Sequence, residues 1–250
     1  MKESEWLSCT DPATMLKFLR GTISDRKLRL FGVACCRRIL HLLPDEQSRR
    51  AVDVAELFAD GLVTEAEAEA AGNVAAEAAR GPGGSGSPRG VSWRAATAAE
   101  HLLPLPAESW KLQSVWAYVA VAMEGEQLVK EGATPEMLDA WSEQSVESGR
   151  TMGWTATDPD GDLAGILREF FGPLPFHPIA LDPAWLTWQG GMIQKIARSI
   201  YEARAFDQML APGATLSDTG CRDVRILAHC PEAGGNVRGC WLLDLILGRE

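Results

Sequence analysis

The sequence predicts an all-α protein, an irregular multi-helix bundle or array of about ten helices in one discontinuous domain with a glycine-rich loop. Three observations carry this. Capping signals recur along the chain, apolar residues recur three and four positions apart, and no stretch alternates with a period of two between hairpin signals.

The elements follow in order. Asp11-Pro12 is an N-cap followed by an N1 proline, Met15, Leu16, Phe18 and Leu19 supply the apolar face, and Gly21 stands where a C′ glycine ends a helix. Ser24-Asp25 opens a second helix with Leu28, Phe31, Ala34, Cys35, Ile39 and Leu42 on one side and Arg26, Lys27, Arg29, Arg37 and Arg38 on the rest. Pro44 stops it. A third helix starts at Asp45 with Ala51, Val54, Ala55 and Phe58 inward, and Thr64 to Glu67 fits a capping box for an alanine-rich fourth reaching Arg80.

The glycine-, serine- and proline-rich stretch at 81–90 reads as a flexible linker, because its composition offers no core to bury. Its spacing fits neither common phosphate-binding glycine motif. Helices are then expected over 93–103, 108–131, 135–150 and up to Phe171, with an extended crossing at Pro173, Pro175 and Pro178. Asp182-Pro183 caps the next helix, a long one runs from Met192 to Leu210, and two short ones lie near 222–229 and 238–247. The expected organisation is 1–80 as an N-terminal helical part, 81–91 as the linker, 92–171 as acidic central helices, and 172–250 as a C-terminal part packing with 1–80.

Charge is unevenly spread. Twenty-four basic residues against 34 acidic ones give −10 overall, which disfavours nucleic acid or an acidic membrane as the partner of the whole chain. Glu100 to Glu169 alone carries 13 acids and 4 bases, while Asp25 to Arg50 carries seven bases and three acids. An electrostatic match within the protein or between subunits is the expected use of that basic helix. Arg26, Arg37 and Arg38, with Trp110, Trp116 and Trp141 of the acidic middle, are the candidate interaction surface.

The first residues lack the apolar segment of a secretory signal, and the longest apolar runs, near 115–123 and 241–247, fall short of the roughly 18–20 residues that span a bilayer. A cytoplasmic location is expected, so the six cysteines read as reduced thiols or metal ligands. Cys221, His229, Cys230 and Cys240 lie within 20 residues, and Cys35, Cys36 and His41 form a second group. Thiolate and imidazole are the donors of a tetrahedral zinc site. The spacing lacks a C-x2-C knuckle, and adjacent residues on a helix point about 100° apart, so burial as small apolar residues is the main expectation and zinc the alternative.

The sharpest enzymatic idea is a Cys-His dyad pairing Cys230 or Cys240 with His229 or His177; no motif of a hydrolase, zinc protease or kinase accompanies it. His41 and His101 sit among leucines and read as packing residues. Asp158, Asp160 and Asp162 alternate like the start of a calcium loop with Glu169 at the twelfth position, but Leu163 stands where the loop needs glycine. A capped acidic turn is the expected reading.

Five segments resemble a family of uncharacterised bacterial proteins that occurs in large paralogous sets: Glu5 to Cys9 with Asp11-Pro12, Ser24 to Phe31, Cys35 to Ile39, Pro178 to Leu186, and Arg238 to Trp241 with Asp244 and Leu247-Gly248. No activity is attached to that family. The resemblance implies that the two ends form one unit and that the cysteine groups of residues 35–41 and 221–240 approach each other.

The function expected from the sequence is a non-enzymatic helical interaction or scaffold protein without a cofactor, acting on a protein partner, with homo-oligomerisation open. The alternatives are a structural zinc or thiol-dependent protein using the Cys/His groups, and a nucleic-acid accessory protein acting through the basic second helix.

Overall fold

The computed structural model describes residues 1–43, 45–80, 91–103, 110–147, 162–230 and 237–249. Asp158, Asp160, the linker at 81–90 and the side chain of Trp110 lie outside the described residues. Thirteen α-helices and no strand occur among those described, so the chain is all-α. No described helix is long and apolar enough to cross a membrane.

The chain divides into two compact units, one of Met1–Ser8 with Gly165–Glu250 and one of Cys9–Ala164. We call these the terminal and central units. Only the first eight residues group with the C-terminal part; residues 9–80 build one unit with the central helices.

The central unit contains α2 (Pro12–Leu19), α3 (Asp25–Arg38), α4 (Glu46–Ala59), α5 (Glu65–Arg80), α6 (Val91–Glu100), α7 (Trp110–Lys130) and α8 (Pro135–Glu147). The caps follow the sequence. Asp11 accepts from Ala13 N, Ser24 from Lys27 N and Asp45 from Ser48 N, and Thr64 and Glu67 close a capping box with bonds of 2.8 and 3.3 Å. Gly21 takes a φ of +84° just past α2, as a C′ glycine does.

α3 is the axis of this unit, packed against α4, α6 and α7, and every residue from Lys27 to Cys36 is buried. This corrects the expectation of a basic outer face. Arg29 is only 4% exposed, donates to the Leu102 carbonyl and lies 4.8 Å from the Phe58 ring centroid. A helix enclosed on all sides has no solvent face, so its cations need partners inside the protein. Gly32 permits the close approach, since a Cβ there would fall 2.8 Å from Leu102 Cδ2.

The terminal unit holds α1 (Glu3–Ser8), α10 (Pro183–Ala203), α11 (Leu210–Asp218), α12 (Val224–His229) and α13 (Trp241–Leu247), and takes α9 (Asp162–Phe171) from Gly165 onward. α1 is tied down by Trp6, whose ring meets Phe176 edge-on at 6.3 Å and whose carbonyl accepts from Arg168. α10 is capped by Asp182 and broken at Trp188–Gly191, where Gln189, Gly190 and Gly191 all have positive φ. This matches the two helices expected there, although the second stops at Ala203, with Arg204 left-handed. The core gathers Ile193, Ala197 and Ile200 of α10, Leu216 of α11, Ile226 of α12 and Trp241, Leu242, Leu243 and Ile246 of α13.

A candidate metal centre in the terminal unit

Three elements of the terminal unit bring one donor each to a common point. On α9, Ile166, Leu167 and Phe170 are buried, and Glu169 is buried with them at 9% exposure. On α12, Asp223 caps the start and Val224 faces solvent, which turns Ile226, His229 and Cys230 inward at spacings of three and four. At the start of α13, Cys240 donates its backbone N–H to the Val237 carbonyl and has no exposed surface.

His229 Nε2 lies 3.0 Å from Cys240 Sγ and 3.7 Å from Glu169 Oε2, and the donor atoms of the three residues all fall within 4.8 Å of one another. The His229 ring also packs 5.0 Å from the Trp241 ring. Burial lowers the His229 pKa to about 4, so its imidazole is neutral at physiological pH. Burial, with a smaller contribution from Cys221, pushes the Cys230 thiol up to about 11, and this thiol donates to the Ile226 carbonyl. Cys230 therefore stays protonated and faces a backbone oxygen.

The geometry distinguishes two chemistries. In a nucleophilic triad the acid holds Nδ1 while the nucleophile takes Nε2. Here Glu169 and Cys240 both approach Nε2 of His229. That convergence suits a shared ion. With zinc–sulfur, –nitrogen and –oxygen bonds of about 2.3, 2.0 and 2.0 Å, tetrahedral coordination separates sulfur from nitrogen by about 3.5 Å and nitrogen from oxygen by about 3.3 Å. The observed sulfur–nitrogen distance of 3.0 Å is about half an ångström shorter and the nitrogen–oxygen distance of 3.7 Å about 0.4 Å longer, shifts that small side-chain movements supply. One thiolate and one carboxylate also balance a divalent charge, which matters in a buried place.

Of the expected ligands, the structure brings together His229 and Cys240, adds Glu169, and leaves out Cys221 and Cys230. Cys35 and Cys36 are fully buried in α3 of the central unit, where burial raises the Cys36 thiol pKa. His41 Nε2 instead lies 3.0 Å from Glu126, which also takes Lys130 at 2.9 Å. His177 pairs with Glu3 at 3.0 Å, so of the expected Cys-His pairings the described residues bring His229 and Cys240 within 3.0 Å. His101 is buried, edge-on to Tyr118 at 5.0 Å.

The candidate interaction residues are largely engaged within the central unit. Arg26 pairs with Asp60 at 3.0 Å, Arg37 with Asp53 and Glu56 at 2.9 and 3.2 Å, and Arg38 with Asp162 at 3.5 Å. The match is internal, made by Asp53 and Glu56 of α4, its C-cap Asp60 and Asp162 of the acidic middle. Trp116 is 2% exposed and Trp141 packs onto Gly125 near Arg94, which corrects the expectation that these rings form a surface.

Compared with protein-family models, curated proteins and solved structures, the chain matches none.

Proposed function

We propose that the chain is a metal-binding helical protein in which Glu169, His229 and Cys240 hold one divalent transition-metal ion of the zinc class in a structural role. The single observation that carries this is the convergence of a carboxylate, an imidazole and a thiol on His229 Nε2 from three different elements. The ion would join α9 to the ends of α12 and α13, closing loops of sixty and eleven residues along the chain. The last of the five resembling segments contains Cys240 and Trp241, so the proposed ligand lies in the part of the sequence that carries the resemblance. Equilibrium dialysis of the purified chain against Zn2+, followed by elemental analysis, tests the reading. One tightly held ion per chain supports it, and no retained zinc overturns it.

An interaction role has separate support on α8. Glu136, Asp139, Glu143 and Glu147 follow spacings of three and four on one exposed stripe, α8 contains no Lys or Arg, and Met137 beside the stripe is exposed. Like charges at these spacings weaken a lone helix. A basic segment of a partner protein complements the stripe. Binding of a lysine-rich peptide that weakens steeply with salt, and is lost in a Glu136→Gln, Asp139→Asn, Glu143→Gln variant, supports this reading; binding unchanged in the variant removes it.

A further inference from the structure

In the central unit a cleft of about 560 Å³ runs between α4 and α5. Val54 and Leu57 of α4, Ala70, Ala71 and Val74 of α5, and Val63 of the turn between them make its apolar lining. The other sides of the two helices pack on α3 and α6, while in the cleft Val74 is 45% exposed. Gln47, Arg50, Val54 and Leu57 follow helical spacing along α4, as do Glu67, Ala70 and Val74 along α5, and Glu77 extends the second stripe by one turn. Because α4 ends at Ala59 and α5 begins at Glu65, residues equidistant from Leu62 lie level across this antiparallel pair: Val54 with Ala70, and Arg50 with Val74. The α4 stripe is therefore large where the α5 stripe is small. Of the charges along the cleft, Asp53 is held by Arg37 and Glu67 by Thr64. Arg50 and Glu77, both exposed, have no partner among the described residues.

We propose that this cleft is the contact face of a symmetric dimer, and that its occupant is the same helix pair of a second copy of the chain. A two-fold axis parallel to the helices lays α4 of each copy over α5 of the other at the same height, so that neighbouring helices all run antiparallel. Val54 and Leu57 of each copy then fill the space over Ala70 and Ala71 of the other, large against small. Arg50 of each copy comes within one helical turn of Glu77 of the other, so the two unpaired charges pair twice. An unrelated helix would have to carry the opposite charges on its two edges; the second copy carries them by symmetry. The contact lies within the central unit and needs no metal.

Analytical ultracentrifugation of the full chain in EDTA and about 0.15 M salt, where charges more than about 8 Å apart are screened, tests the dimer. Two helices per copy make a small contact, so a dissociation constant of about 10 µM is expected. Arg50→Glu and Glu77→Arg should each weaken association about tenfold or more, because symmetry repeats each change, and the two together should restore it to within about threefold. Val74→Lys, at an exposed position, should abolish the dimer while leaving the helical circular-dichroism signal unchanged. A chain that stays monomeric to about 200 µM overturns the proposal. So does a dimer that Arg50→Glu and Val74→Lys leave intact, or a double variant that associates no better than either single one.

Discussion

The central unit holds Cys35, Cys36 and His41 within seven residues, and the terminal unit holds Cys221, His229, Cys230 and Cys240 within twenty. The residue types are the same, but only the second group supplies a convergent site. Cys35 and Cys36 are neighbours on one turn of α3, so their side chains diverge into different parts of the core, and His41 turns out to Glu126. His229 and Cys240 stand at the end of α12 and the start of α13, and Glu169 comes from sixty residues upstream of His229. Crowding along one helix keeps donors apart. A junction of helix ends lets residues distant in sequence share a point.

Substitution is the strongest way to break this comparison. Cys240→Ser and His229→Ala should each weaken Co2+ binding by about a hundredfold or more, since each removes a direct ligand, while Cys35→Ser and Cys36→Ser should leave affinity within about twofold. Competition with a chelating dye gives all four values, and equal losses in both groups would erase the distinction.

Thiol labelling sharpens it from the other side. Cys9 is the one cysteine not buried, and the other five are. In native, metal-free protein Cys9 should react about a thousandfold faster than the rest, the factor that about 4 kcal/mol of local opening imposes. Mass spectrometry of a timed alkylation reads the order, and early labelling of Cys36 would show that α3 is not the enclosed axis described above.

Acid should act on the terminal unit through His229. The folded chain holds this imidazole at a pKa of about 4 and the unfolded chain at its ordinary value near 6.5. Between those values the unfolded state binds the proton and the folded state does not, so stability falls as pH drops through this window, by up to about 3 kcal/mol, and is fully present above it. Urea melts in EDTA at pH 7 and pH 4.5 should show the loss, and His229→Gln should reduce it. The smallest expected effect lies in the central unit, where buried Arg94 donates to both the carbonyl and the hydroxyl of Ser142 at 2.9 and 2.8 Å. Ser142→Ala keeps the carbonyl partner and should cost about 1 kcal/mol without altering metal affinity.

Much of the fold was legible because its helices announce their starts. Asp11, Ser24, Asp45, Thr64 and Asp182 all act as the caps their types and positions suggest. α11 was not among the expected helices, and it contains Pro212 and Gly213. In the structure the proline sits in the first turn, and the glycine leaves room for Cys230, whose Cβ would lie 2.6 Å from an added methyl. The enclosure of α3 was hidden because a run of arginines looks like a solvent face until the acids of α4 are placed beside it. At the site, His229 and Cys240 were visible by residue type. Glu169 was visible only as the twelfth position of a calcium-like loop and not as a partner of the Cys/His group, because its partners are remote in sequence.

The absorption spectrum of the metal-free chain titrated with Co2+ bears most directly on the metal centre. One equivalent should develop a sulfur-to-cobalt charge-transfer band together with the d–d bands of a tetrahedral ion, and Cys240→Ser should abolish the sulfur band. No saturable uptake, or a spectrum without a sulfur band that Cys240→Ser leaves unchanged, would contradict a centre built from Glu169, His229 and Cys240.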